Sequence, residues 1–492
     1  MADHGIDRTV TSISSARQWS IVAALVLAEV ALTFEITMIY AALPTLNRLF
    51  GDPVRVGWLV SGFMLVSASA AALGGRLGDL YGRRRVLLAA LACAAAGSTL
   101  SAVATSLPGV IAGRSLQGVA ACVLPLCIGL AREFMPIGRV PLVVGVIAAA
   151  AAIGSGLGQI GGGFIVDHFG WQAMFRASAA LALAAALAVV AAVPADGERR
   201  SGAARPDFVG GILFVPAVAG LLYAVDLARH AHGSGWHAAV LAACSVLVLS
   251  IWYLHERRRA DPMFDVRMAS SGQVAIANVL MALFALTSFQ VILVASLLLQ
   301  QPPWTGAGFG RSASFYGATQ APGAIAGIML GPLSGLLAAK RGARSALIVG
   351  AAMTAVGWIG VAIYRDNLWF VVSLLFLVQA AGPIIFTNVP NLIIENVPHE
   401  RTSEIVGMAL VLRHASGAIG AMLVTMLLAA ETVSAPGTSA PSFPTTRAYG
   451  LVSALIAAGS FAALALAWLA KPPVAPRAGI GAVEQPRTRP SS

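Results

Sequence analysis

The sequence predicts an all-α integral membrane protein of fourteen transmembrane helices, arranged as two six-helix bundles with a two-helix insert (6+2+6). Three observations predict it: few charges, apolar runs each long enough to cross a bilayer, and basic residues in every second connection. Only 11% of the 492 residues are charged and 58% are hydrophobic, whereas soluble domains carry about 25% charged residues. Charges this sparse cannot give so long a chain a water-compatible surface. Soluble enzymes, nucleic-acid binders and coiled coils are excluded on that ground, despite the net charge of +11.

A hydrocarbon core about 30 Å thick takes about 20 apolar residues per helix. Windows of that size place spans at 18–43, 56–74, 86–106, 109–131, 141–164, 173–194, 208–228, 236–254, 272–300, 314–338, 345–364, 368–394, 404–430 and 447–470. Residues 1–17 are polar and lack a signal-peptide layout, so the first span is expected to stay in the membrane. Lys and Arg mark cytoplasmic connections. With the N-terminus inside, those connections hold Arg76 with Arg83, Arg84 and Arg85, then Arg132 with Arg139, then Arg199, Arg200 and Arg205. The series continues with Arg257, Arg258, Arg259 and Arg267, then Lys340, Arg341 and Arg344, then Arg401, and no outer loop carries more than two such residues. A miscount of one span would scramble that alternation. The expected location is the plasma (inner) membrane, multi-pass, with both termini cytoplasmic, and the positive charge needs no nucleic acid to explain it.

All four cysteines (Cys93, Cys122, Cys127, Cys244) fall inside spans and read as small hydrophobes, so neither disulfide nor metal is expected. His230, His232 and His237 lack a carboxylate or Cys at ligand spacing. The Pro-, Arg- and Ser-rich tail 471–492 reads as disordered, and the outer loop 431–446 as mobile.

An internal repeat sets the architecture. Gly75-Arg76-Leu77-Gly78-Asp79-Leu80-Tyr81-Gly82-Arg83-Arg84 follows span 2, and Gly335-Leu336-Leu337-Ala338-Ala339-Lys340-Arg341-Gly342-Ala343-Arg344 follows span 10. The copies lie eight spans apart, two more than directly joined six-span halves would give. Spans 7 and 8 are therefore the insert. The expected division is a cytoplasmic segment 1–17, a six-helix bundle 18–200, the insert 201–265, a second bundle 266–470 and the cytoplasmic tail 471–492. Glycines permit tight reversal and close helix approach, and Asp79 near the start of span 3 is placed to meet that helix's positive end.

The stretch Gly75–Arg85 resembles the loop motif of the major facilitator superfamily. Three further stretches resemble its fourteen-span drug:proton antiporter branch. These are Glu35-Ile36-Thr37 with Ala42-Leu43-Pro44 in span 1, Arg114-Ser115-Leu116-Gln117-Gly118 in span 4, and Gly154-Ser155-Gly156-Leu157-Gly158-Gln159-Ile160-Gly161-Gly162 in span 5. Glu35 stands where the branch has Asp, Tyr40 where many relatives have Asn, and Gln159 where the span 5 motif has Pro. The resemblance implies a transporter that rocks two six-span halves around a central site, and it implies proton coupling at the positions of Glu35 and Arg114.

Charges inside the membrane cost on the order of 2.5–3.5 kcal/mol even on mild scales, which makes them functional candidates. Glu29 falls near the midplane of span 1; Glu35 and Arg114 share the outer half, with Gln117 one turn deeper. A carboxylate moved between an Arg and an apolar cavity changes its proton affinity. Glu35 or Glu29 is expected to take the proton and Arg114 to tune it, the alternative being a permanent ion pair that locks span 1 to span 4. The two acids lie six apart, about 120° around the helix, and do not form a dyad. Glu29, Tyr40, Gln117, Gln290, Asn388 and Arg413 are candidates for touching substrate, with interhelical hydrogen bonding the competing role for the amides. An acid facing the cavity favours cationic or neutral amphipathic substrates; Arg413 and His414 in span 13 favour an anion. Gly75, Asp79, Gly82, Arg83 and Arg84 are candidates for conformational control. Gly154, Gly158 and Gly162 form one stripe, which serves either a gate or close packing.

The expected function is proton-coupled efflux of small amphipathic compounds. The alternative within the fold is proton-coupled transport of a specific organic acid, and from another class a membrane sensor or lipid-modifying enzyme. No phosphate-binding loop of the GxxxxGK[ST] type occurs, so the expected energy source is the proton gradient with no cofactor. The expected partners are a small-molecule substrate, protons and the bilayer, with the chain acting as a monomer.

Overall fold

The computed structural model describes residues 14–195, 208–230, 235–259, 264, 266–270, 272–364, 366–394, 402–434 and 443–470. The expected tail 471–492, most of the N-terminal segment, His232, and Arg199, Arg200, Arg205 and Arg401 lie outside the described residues. The helices are α1 Ser15–Phe50, α2 Pro53–Tyr81, α3 Arg83–Val103, α4 Leu107–Phe134, α5 Val140–Phe169, α6 Trp171–Ala192 and α7 Phe208–His230. They continue with α8 Gly235–Arg258, α9 Gly272–Gln300, α10 Ala313–Arg341, α11 Ala343–Ile363, α12 Leu368–Ile394, α13 Thr402–Ala430 and α14 Thr446–Leu469. Among the described residues thirteen helices are long and apolar enough to cross a membrane; α7 carries a shorter apolar stretch, Ile212–Ala228. Asp226 of α7 is buried, at 3% exposure.

The helices overrun the apolar runs because polar caps, not hydropathy, set their ends. Ser14 accepts from the Arg17 amide at 3.4 Å to start α1. Asp52 accepts from the Val54 and Arg55 amides at 3.0 and 3.2 Å to start α2, with Pro53 in the first turn. Such caps contribute about 1 kcal/mol each.

The repeated motif is more helical than expected. Gly75–Tyr81 lies inside α2, and the connection to α3 is Gly82 alone, at φ +96°. The second copy ends α10 at Arg341 and starts α11 at Ala343, with Gly342 at φ +80°. The repeat is thus written in the backbone at the same offset. Both glycines occupy a region that side chains with a Cβ avoid. Gly82→Ala is expected to destabilise the protein by about 1–3 kcal/mol, read as an earlier melting transition of the detergent-solubilised protein.

Two helices are interrupted. α4 passes through a 3₁₀ stretch at Gly118–Cys122, and α9 through another at Ser288–Gln290 after Thr287. Gln290 Nε2 donates to the Ala285 carbonyl at 2.8 Å and to the Gly417 carbonyl at 3.1 Å. Its side chain therefore stitches the broken helix to α13, the interhelical role that competes with substrate contact. The 431–446 segment is also more ordered than expected at its ends: Thr432–Val433 pairs antiparallel with Phe443–Pro444.

Helices α1–α6 pack among themselves, as do α9–α14. The two groups meet along α2–α13, α5–α10 and α1–α9, while α7 and α8 pack on each other and α7 leans on α2 and α13. At the end of the molecule bearing the Gly51–Asp52 turn, one apolar core runs through both groups, from Met38, Leu43 and Leu59 to Val294, Leu298, Trp358 and Val424. At the opposite end the core divides. One part, around Leu25, Leu91, Leu126 and Val189, belongs to the first group; another, around Met281, Leu347, Ile385 and Met408, belongs to the second.

Candidate functional site

Glu35 and Arg114 come together where α1, α3, α4 and α6 face each other. Glu35 and Arg114 are each 1% exposed and Gln117 is fully buried. Glu35 Oε1 accepts from Ser98 Oγ at 3.0 Å and Ser178 Oγ at 3.4 Å, and Gln117 Nε2 donates to Ser98 Oγ at 2.6 Å. Arg114 Nη1 donates to Gln117 Oε1 and to the Glu35 main-chain carbonyl, both at 2.9 Å; its Nε reaches the Leu59 carbonyl at 3.3 Å. Its guanidinium lies 4.3 Å from the centroid of the Phe63 ring.

Glu35, Arg114 and Gln117 therefore share one network, but Glu35 and Arg114 do not form an ion pair. The guanidinium takes the main chain of α1, and the carboxyl takes hydroxyls from α3 and α6. The locked ion pair expected as the alternative is therefore not made in this arrangement, while Arg114 stays within electrostatic reach of Glu35. A carboxyl held only by rotatable hydroxyls and an amide keeps hydrogen bonds in either protonation state, since Ser donates or accepts. Ser98 and Ser178 carried no signal beyond being polar in apolar spans.

Glu29 points elsewhere. It is 1% exposed, its Oε2 has no hydrogen-bond partner among the described residues, and it lies within electrostatic reach of Cys127 of α4. It belongs to the divided core of the first group rather than to a surface open to the central site. A buried carboxylate without partners is costly in its charged form, so this residue is held neutral or finds partners in another arrangement.

In the second group Asn388 is fully buried and donates to Ser334 Oγ at 2.9 Å and to the Ile384 carbonyl at 2.7 Å, so it ties α12 to α10. Arg413, partly buried in α13, is different. Its guanidinium lies 3.9 Å from the Phe386 ring centroid and 5.9 Å from that of Phe289, and among the described residues it has no ion pair or hydrogen bond. Cation–π contacts contribute about 0.5–2 kcal/mol, less than the cost of an arginine at mid-bilayer. Tyr40, 6% exposed on α1, stands within electrostatic reach of both Arg114 and Arg413.

The motif residues act inside the first group. Asp79 pairs with Arg83 at 2.8 Å instead of capping α3; Arg83 also meets Glu133 at 3.6 Å and the Gly129 carbonyl at 2.9 Å. Arg84 donates to the Val190 carbonyl at 3.0 Å. Both arginines bind main-chain carbonyls near helix ends of the first group. The glycine stripe on α5 packs against α1: Cβ atoms at Gly154 and Gly158 would lie 2.6 Å from the Val30 and Phe34 carbonyls, and one at Gly162 would lie 3.3 Å from Met38. This is close packing within one group, not a seam between groups.

The seam uses residues the sequence did not single out. A Cβ at Gly317 of α10 would sit 2.5 Å from the Gln159 carbonyl of α5, and Gly163 fits against the Ala313 carbonyl. Asp167 at the end of α5 caps α10, accepting from the Ala313 amide at 3.1 Å and the Ser314 amide at 2.7 Å. Ser61 donates to the Ala418 carbonyl at 3.0 Å, Gln300 to the Ala41 carbonyl at 3.3 Å, and Ser296 to the Tyr40 carbonyl. All of these ties lie toward the end with the shared core.

Comparison with known proteins follows the same lines. The profile of the Major Facilitator Superfamily matches residues 25–210 and again 207–421. The chain is 26% identical to the tetracenomycin C resistance and export protein of Streptomyces glaucescens, over 87% of this chain and 79% of that one. It is 29% identical to the multidrug efflux pump LfrA of Mycolicibacterium smegmatis, over 73% and 70%. In fold it is similar to the inward open xylose transporter XylE from E. coli, at 14% identity, a TM-score of 0.62 and coverage of 94% and 98%. A peptide transporter POT bound to sulfate gives a TM-score of 0.65 at 15% identity, covering 91% and 94%.

Proposed function

Since the chain belongs to the Major Facilitator Superfamily and is a multi-pass membrane transporter rather than an enzyme, we propose that it exports small amphipathic compounds in exchange for protons. The observation that carries the reading is that both helix groups share one large apolar core at one end and keep separate cores at the other, with a smaller apolar cluster between α2, α7 and α13 as the further link. That asymmetry is what one arm of an alternating-access cycle requires. The basic connections put the joined end outside and the divided end in the cytoplasm of a plasma (inner) membrane protein, with both termini inside. The 6+2+6 division assigns α7 and α8 to the insert, and the chain works as a monomer. The printed names of relatives, tetracenomycin C export and multidrug efflux, support export over uptake. Glu35 takes the proton in its hydroxyl-lined network, and Arg114 holds α1 to α4 around it.

The test is flux in proteoliposomes holding the purified protein, with amphipathic dyes and an imposed pH gradient. Dye is expected to move against the proton flow. Flux in the same direction as protons overturns antiport, and no gradient-dependent flux overturns proton coupling.

A further inference from the structure

Arg413 is the charge that the proposed cycle leaves unused. It lies twelve residues into α13, near the middle of a 29-residue helix. It stacks on Phe386 of α12 at 3.9 Å with Phe289 of α9 beside it at 5.9 Å, the two rings 6.4 Å apart. All three side chains are partly exposed. The hydrogen-bonding edge of the guanidinium has no partner among the described residues, while its ring contacts are to Phe386 and Phe289. From the other group Tyr40, part of the shared core, stands within electrostatic reach of Arg413.

The acids that would neutralise it are elsewhere. Glu35 is turned toward Ser98 and Ser178, and Glu29 into the core beside Cys127. The unpaired charge of the second group is therefore positive, half-buried and set in aromatic surroundings. A guanidinium offers paired N–H donors to a carboxylate or similar oxyanion, and the adjacent rings suit a flat apolar body. Resting on the export reading above, we infer that Arg413, Phe386 and Phe289 form a substrate subsite for planar aromatic anions, with Arg413 binding the carboxylate or phenolate and the rings holding the aromatic body. A cationic planar compound of equal size is repelled from the same place.

Two probes of similar planarity and opposite charge test this: fluorescein as the anion and ethidium as the cation. Binding to the detergent-solubilised full-length protein is read by fluorescence anisotropy, independently of any gradient. The wild type is expected to bind fluorescein more tightly than ethidium. Arg413→Gln is expected to weaken fluorescein binding by at least about tenfold, the loss of one charge-assisted hydrogen bond, without weakening ethidium binding. Arg413→Lys keeps the charge and is expected to fall between, and Phe386→Leu to weaken fluorescein binding with the charge intact. These graded variants separate loss of the site from loss of the fold, which gel filtration monitors. Fluorescein binding that is absent, or unchanged in Arg413→Gln, overturns the subsite, as does tighter binding of ethidium. Arg413-dependent binding without gradient-driven flux leaves the subsite standing and removes proton coupling. Gradient-driven ethidium export with Arg413-independent fluorescein binding does the reverse.

Discussion

Glu35→Gln abolishes accumulation against a gradient and leaves downhill exchange in place. Each pH unit across the membrane is equivalent to 1.36 kcal/mol per proton. A two-unit gradient therefore sustains about a hundredfold concentration ratio when one proton is exchanged per substrate. The Gln side chain keeps an oxygen for Ser98 and Ser178, at the positions now 3.0 and 3.4 Å from Oε1, so the fold and the contacts of Arg114 persist. What is lost is the capacity to bind and release a proton. In proteoliposomes the steady-state ratio is expected to fall to about one, while equilibrium exchange of labelled substrate continues. A mutant that still accumulates substrate under the pH gradient removes Glu35 from the coupling step.

Gly317→Leu stops the cycle by holding the α5–α10 seam apart. Even the first atom of the new side chain falls 2.5 Å from the Gln159 carbonyl and 2.9 Å from the Ile160 Cα, both main chain. Backbone cannot yield as a flexible side-chain tip does, and overpacking costs of 1–3 kcal/mol are typical. Because the contact joins the two groups, the cost falls on the joined arrangement rather than on either group alone. Transport is expected to drop by at least about tenfold, and a cysteine placed at Thr425, now 4% exposed beside Gly57, is expected to react faster with an impermeant maleimide in a cysteine-free background. Asp167→Ala is expected to move the labelling rate in the same direction but less, since one exposed helix cap contributes about 1 kcal/mol. Wild-type transport and labelling in Gly317→Leu would show that α5 and α10 need not meet during turnover.

The helical membrane architecture was legible because hydropathy and basic connections report on the solvent, and the bilayer imposes its period on every span. The repeat was legible because Gly82 and Gly342 meet the same backbone demand. What sequence missed was direction. Gly154, Gly158 and Gly162 announced a close contact, but spacing does not say with which neighbour, and the helix met is α1 of the same group. Matching depth brought Glu35 and Arg114 together, yet depth is blind to whether a guanidinium reaches a carboxyl or a carbonyl. For Gln290 and Asn388 polarity in an apolar run is visible in sequence, and interhelical hydrogen bonding was the competing role to substrate contact; the partners that realise it, the Gly417 carbonyl and Ser334, are not visible there. The seam residues Gly163, Gly317 and Asp167 are ordinary in sequence and acquire meaning only across the two groups.

The divided core also has a history within each molecule. The interior around Leu25, Leu91 and Val189 draws only on α1, α3, α4, α5 and α6 and the turn after α4, with nothing from beyond residue 193. It is complete as soon as the first six helices have left the ribosome. The core that spans both groups requires α14, through Tyr449 and Ile456, and so closes last. The α14 contacts made at the end of synthesis complete both that shared core and the second group's own interior, through Ala463 and Ala467. In the proposed cycle it is the shared core that parts and re-forms while the first interior stays intact. Co-expressed fragments divided between α6 and α9 would inherit that order, each entering the membrane with its own interior closed and the joint one still to be made.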